Sequence, residues 1–146
     1  MSTQYSLSVA GITPTAAVSK LLASAPSFRR AQGMIVAPGL LVEIVEPRPL
    51  AIETVEDEFG FAPDVDIVFR PNSVDDPVAT RACLIEGCMA LLDGHAHDAV
   101  LLFNGETVVL LRRDGELVLN RIEGFWTETV QAAVTVAYEF GVIPAI

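Results

Sequence analysis

The sequence predicts an α+β domain, a predominantly antiparallel sheet with helices packed on its main face. Three observations predict it. Residues 98–120 read as three apolar runs separated by Asn104-Gly105 and Asp114-Gly115. Both central residues of a type I′ turn need φ > 0, which Asn, Asp and Gly tolerate, so this stretch is a three-stranded antiparallel meander. Residues 76–93 carry apolar side chains at helical spacing. Tyr5, Leu7 and Val9 alternate with Ser6, Ser8 and Ala10, as in a half-buried strand.

The elements follow in chain order. The first strand stops at Gly11, and Thr13-Pro14 opens a helix over about 13–24, with Thr13 as N-cap and Pro14 at the first helical position. Ala17, Val18, Leu21 and Leu22 form its apolar face, and Pro26 ends it. Met34–Val36 and Leu40–Val45 are extended pieces hinged at Pro38-Gly39, and Pro47-Arg48-Pro49 blocks continuation as a central strand. The acidic stretch 53–64 reads as irregular. Strand character resumes at Val65–Phe69, and Pro71-Asn72-Ser73 is a turn. Asp76 then caps a helix with Pro77 at its first position and Val78, Ala82, Ile85, Met89 and Leu92 on one face. Leu84, Cys88 and Leu91 widen that face, which predicts deep burial. Residues 127–140 combine a Thr127 cap and helical spacing with the strand-prone Val-Thr-Val and Tyr-Glu-Phe, and helix is the preferred reading.

Two-residue turns fix the register of the meander. Phe103 faces Glu106, Leu101 faces Val108, Arg113 faces Glu116 and Leu111 faces Val118. One face then carries Leu101, Phe103, Val108, Leu110, Leu117 and Leu119, the expected core. The other carries Val100, Leu102, Thr107, Val109, Leu111, Arg113, Glu116, Val118 and Asn120, more apolar than water-facing strands usually are. That face needs a cover. The C-terminal segment is the first candidate, and a partner or a second copy of the chain, giving a homodimer, is the other.

Bulk properties bound the function. At 146 residues one domain covers the chain, and 51% apolar against 19% charged residues argues strongly against disorder. A net charge of −10 argues against nucleic acid and anionic membrane as partners, since both are held by Lys and Arg. The N-terminus lacks a basic segment followed by an apolar one, and no apolar run is long enough to span a bilayer. The expectation is a cytoplasmic protein. Cys83 and Cys88, five apart in a helical pattern, are poorly placed to bridge and read as buried free thiols.

Candidate chemistry is thin. His95-Ala96-His97-Asp98 is the only histidine cluster, and two imidazoles with one carboxylate make a weak metal set between a helix and a strand. As a hydrolase site it would need all three groups to converge. No G-x-S-x-G, P-loop or dinucleotide fingerprint occurs, so no catalytic, cofactor or metal residue is assigned. The prominent polar feature is an acidic belt comprising Glu43, Glu46, Glu53, Glu56, Asp57, Glu58, Asp64, Asp66, Asp75 and Asp76. These ten carboxylates against Arg48 and Arg70 give residues 43–76 a formal charge of −8. Such a field steers a basic partner, although a solubilising face has the same composition.

The order of motifs resembles a family. A Tyr-x-Leu-x-Val strand is followed by Gly-x-Thr-Pro, then Phe59-Gly60-Phe61-x-Pro63 leading into Val-x-Ile-Val-Phe-Arg. After the buried helix comes Asp98-Ala-Val-Leu-Leu-x-Asn-Gly-x-x-Val-Val-Leu-Leu-Arg-x-x-Gly-x-Leu-Val-Leu-Asn, and finally Phe125-Trp126. This is similar to the Sit-type immunity proteins, which accompany swarming-inhibition polymorphic toxins. The resemblance implies a small cytoplasmic protein that binds and neutralises a cognate toxin, with no catalytic residue to carry over. The belt then fits an inhibitor of a basic nuclease whose contact centres on Glu53, Glu56, Asp57, Glu58, Asp64 and Asp66. The alternative is a ligand-binding or structural module with a pocket beneath the Phe59-Gly60-Phe61 loop.

Overall fold

A computed structural model describes residues 3–12, 15–72 and 74–146. The expected cap at Thr13-Pro14 and the turn residue Ser73 lie outside the described residues. In chain order the elements are β1 (Tyr5–Val9), α1 (Thr15–Ala23), β2 (Arg29–Ala31), β3 (Met34–Ala37), β4 (Leu40–Val45), α2 (Pro49–Phe59) and β5 (Val65–Pro71). Then follow α3 (Pro77–Leu92), β6 (Ala99–Phe103), β7 (Thr107–Arg113), β8 (Glu116–Asn120), α4 (Glu128–Ala132) and β9 (Tyr138–Gly141). Among the described residues the strands form one sheet in the order β2-β3-β4-β5-β1-β6-β7-β8-β9, antiparallel throughout except for the parallel β8–β9 pair. The predicted α+β class is the observed one. No described helix is long and apolar enough to cross a membrane.

β1 lies at the centre, with Leu7 opposite both Ile67 and Leu101. On the main face α1 and α3 bury Val18, Leu22, Leu84, Ile85, Leu91 and Leu92 against Leu7, Ile67, Phe69, Leu101 and Leu110. Asp76 caps α3 as its sequence predicts, its side chain accepting from the Val78 N–H at 3.0 Å. Cys83 and Cys88 on this helix are free thiols; Cys88 is buried as expected, which pushes its pKa well above the ordinary value, whereas Cys83 is only half-buried.

The second turn of the meander has the expected register, Arg113 opposite Glu116 and Leu111 opposite Val118, with Asp114 at φ 51° and Gly115 at φ 80°. The first turn does not. Its loop has three residues, so Phe103 pairs with Thr107 rather than Glu106. A bulge then breaks the ladder between Leu101 and Leu102, and Leu101 meets Leu110 rather than Val108. Because side chains alternate with a period of two, one extra residue in β7 exchanges faces locally. Val109 joins the main core, while Val108 turns to the second face with Leu102. Thr107 likewise leaves the second face and follows its partner Phe103.

Two other expectations are corrected. Within the stretch 53–64 expected to be irregular, residues 53–59 are helical, as part of α2. Ile52, Val55 and Phe59 form a narrow apolar stripe at spacings of three and four, which the surrounding carboxylates outnumber in the sequence. The proposed C-terminal helix is only α4, capped by Thr127, whose hydroxyl accepts from Val130 N–H. The strand-prone Tyr-Glu-Phe segment instead extends the sheet as β9, because the outer edge of β8 offers a hydrogen-bonding ladder. Asn120 locks this end by donating to the Val108 and Ile143 carbonyls and accepting from Ile143 N–H. The cover for the second face therefore comes chiefly from α2, with Ile143 of the C-terminal segment beside it.

Candidate partner-binding face

α2 begins at Pro49, whose fixed φ suits a first helical position, and ends at Gly60, a left-handed residue at φ 81° whose N–H returns to the Glu56 carbonyl at 3.0 Å. The N-cap residue Arg48, just before the helix, makes no side-chain cap. Val55, 2% exposed, is the helix residue driven into the sheet; it packs with Phe61, Val100, Leu102 and Val108. Phe59 and Ile143 flank that cluster.

The C-terminal end of α2 is held by one side chain. Arg113 donates from Nε to the Phe59 carbonyl at 2.9 Å and from Nη2 to the Gly60 carbonyl at 3.0 Å. Its Nη1 meets the Asp98 carboxylate at 2.8 Å, and its guanidinium lies over the Phe61 ring. A guanidinium at helix C-terminal carbonyls is favourable both as a donor and as a charge against the helix dipole.

With Val55 turned inward, the opposite face of α2 points to water. Glu53, Glu56, Asp57 and Glu58 are all exposed and, among the described residues, none forms an ion pair. At 3.6 residues per turn, Glu53 and Asp57 lie on the crest, and Leu50 sits in the first turn of the helix, on the same side and one turn before Glu53. Leu50 is 73% exposed. The belt is thus a helix face, with a large exposed apolar side chain at its N-terminal end that a reading focused on charge passes over.

The other belt residues have different occupations. Asp64 accepts from Gly11 N–H at 2.6 Å and ties the loop after β1 to the start of β5. Asp66 accepts from the Ser8 hydroxyl at 2.7 Å, and burial raises its carboxyl pKa, partly offset by that hydrogen bond. Glu43 pairs with Arg70 on the neighbouring strand. Asp75 accepts from the Asn72 amide at 2.7 Å. Of the six predicted contact residues, the four on α2 come together on one surface, and Asp64 and Asp66 serve as local ties.

The histidine cluster does not converge on a carboxylate. His95 and His97 stack with ring centroids 5.2 Å apart, while the Asp98 carboxylate is taken by Arg113 and by Asp114 N–H at 3.0 Å. His97 is held below its ordinary pKa by burial, then by His95 and Arg112. Among the described residues no group of three His, Cys, Asp or Glu could hold a metal ion. The space beneath the Phe59-Gly60-Phe61 loop is occupied by Val55 and the buried Phe61 ring.

A model of the SitI3-like family matches residues 3–129. No curated protein and no solved structure matches the chain.

Proposed function

Because the chain belongs to the SitI3-like family, we propose that it is a non-catalytic immunity protein that binds and neutralises a cognate toxin in the cytoplasm through the outer face of α2. The observation that carries this reading is the outer face itself: Leu50 at 73% exposure in the first turn, followed by Glu53, Glu56, Asp57 and Glu58, none of these carboxylates in an ion pair among the described residues. An exposed apolar side chain beside polar groups is a common element of protein interfaces. The carboxylates would meet a basic surface, as on a nuclease whose phosphate site they mimic, and would speed its capture.

The test has two parts. The gene beside this one should encode a protein ending in a basic toxin domain; housekeeping neighbours would count against the reading. Co-expression with that toxin then compares the wild type with Glu56→Lys/Asp57→Lys/Glu58→Lys and with Leu50→Glu. Both variants should lose protection while keeping the wild-type melting temperature to within about 2 °C, because all four residues are at the surface. Full protection by both would remove α2 from the interface.

A further inference from the structure

The face opposite α2 carries a second feature, independent of toxin binding. At the end of the sheet where α3 begins, a cleft of about 720 Å³ opens between β1, β5, β6 and the first turns of α3. It continues past Tyr5, Arg81 and Phe103 into a smaller recess of about 170 Å³ that reaches Phe125. The smaller recess is walled by aromatic rings, with Tyr5 and Phe103 at 5.0 Å between centroids and Tyr5 and Phe125 at 6.4 Å.

Arg81 stands where the two recesses meet. Its guanidinium lies 5.6 Å above the Phe125 ring and beside the Tyr5 hydroxyl. The side chain is half-buried, and among the described residues it pairs with no carboxylate. The other charges around the cleft are already engaged or solvated. Arg70 is paired with Glu43, Asp75 is bonded by Asn72 and exposed, and Glu123 is exposed at the outer rim. A half-buried guanidinium with no carboxylate partner among the described residues, set beside the Tyr5 and Phe125 rings, keeps N–H donors that match a planar anion carried on a flat apolar body.

We propose that this cleft binds a small organic carboxylate, with Arg81 holding the carboxylate, the Tyr5 hydroxyl beside it, and Tyr5, Phe103 and Phe125 enclosing the apolar part. Benzoate is the probe, and benzamidine, its cationic counterpart of the same shape, is the control. Nuclear magnetic resonance titration of the full chain should give saturable shifts at Tyr5, Arg81, Phe103 and Phe125 with benzoate below about 20 mM, and none there with benzamidine. Arg81→Gln, which keeps the stem over Phe125, should weaken benzoate binding about tenfold or more. Arg81→Lys should fall between, since it keeps the charge and loses the fork. No saturable shift with benzoate, equal shifts with benzamidine, or unchanged binding by a folded Arg81→Gln would each overturn the assignment. Because toxin protection is measured separately, and on the other face of the sheet, failure here leaves the role of α2 standing.

Discussion

α3 and α2 pack on opposite faces of the same sheet and are held there in opposite ways. α3 runs from Pro77 to Leu92 and buries Thr80, Leu84, Ile85, Gly87, Cys88, Met89, Leu91 and Leu92. α2 runs from Pro49 to Phe59 and buries Val55. Each helix is gripped at its C-terminal end by an arginine, and the two arginines are neighbours in β7 whose side chains point to opposite faces. Arg112, 6% exposed, donates to the Leu92 carbonyl at 3.1 Å and to the His95 carbonyl at 2.5 Å. Its Nε has no partner among the described residues. Arg113 does the equivalent for Phe59 and Gly60, but remains partly open to water and carries the Asp98 counter-charge. The same device serves a core helix on one side and a surface helix on the other. A helix fixed by one apolar residue and a guanidinium can leave almost its whole outer surface to a partner, whereas α3 has little left to offer.

The contrast can be broken experimentally. Leu91→Ala should cost about 3 kcal/mol by chemical denaturation, because a fully buried leucine leaves a cavity that a packed helix cannot close. If Val55→Ala cost as much, the asymmetry between the faces would be wrong; its expected cost is about 1.5 kcal/mol. Arg112→Met should cost about 2 kcal/mol. It leaves the Leu92 and His95 carbonyls unpaired, although it also removes the orphan Nε. Arg113→Met should cost only about 1 kcal/mol, since its ion pair with Asp98 is partly screened by solvent. It should nevertheless speed amide exchange in residues 56–60 specifically, and uniform exchange across α2 and α3 would show that the clasp does not single out α2.

The smallest effect sharpens the picture of the belt. Burial raises the pKa of Asp66, so the folded state disfavours its charged form. That penalty is present at neutral pH and disappears as pH falls through the raised pKa, because the folded chain then binds the proton more readily than the unfolded one. Asp66→Asn should therefore match or slightly exceed wild-type stability at pH 7, with the difference vanishing toward the ordinary value of 3.8. A marked loss of stability at pH 7 would mean that the Asp66 charge is needed in the fold.

Particular residues show what could be read in advance. Asp76-Pro77 announced α3 because capping is local chemistry, and the cap hydrogen bond is present. Asp114-Gly115 fixed its turn for the same reason. Asn104-Gly105 carries the same signal, yet its loop takes a third residue and the strand behind it bulges, a matter settled by how β6 and β7 fit the packed sheet. α2 was concealed because its inward stripe is narrow and its outward face holds four carboxylates. A short helix with one buried side chain has little periodic signal to give. Arg81 was invisible as a site because its aromatic neighbours come from β1, from β6 and from the loop before α4.

The sequence by itself determined what depends on neighbours along the chain. That comprises the strand alternation of Tyr5–Val9, the capped start of α3, the second hairpin turn and the concentration of negative charge between residues 43 and 76. The tertiary structure alone decided that β9 completes the sheet beside β8, that the bulge exchanges Val108 and Val109 between faces, and that the carboxylates of residues 53–58 stand on a helix gripped by Arg113. These depend on groups far apart in sequence competing for the same surface and the same carbonyls. Local propensity does not encode that competition, and it is resolved only when the two faces of the sheet are covered at once.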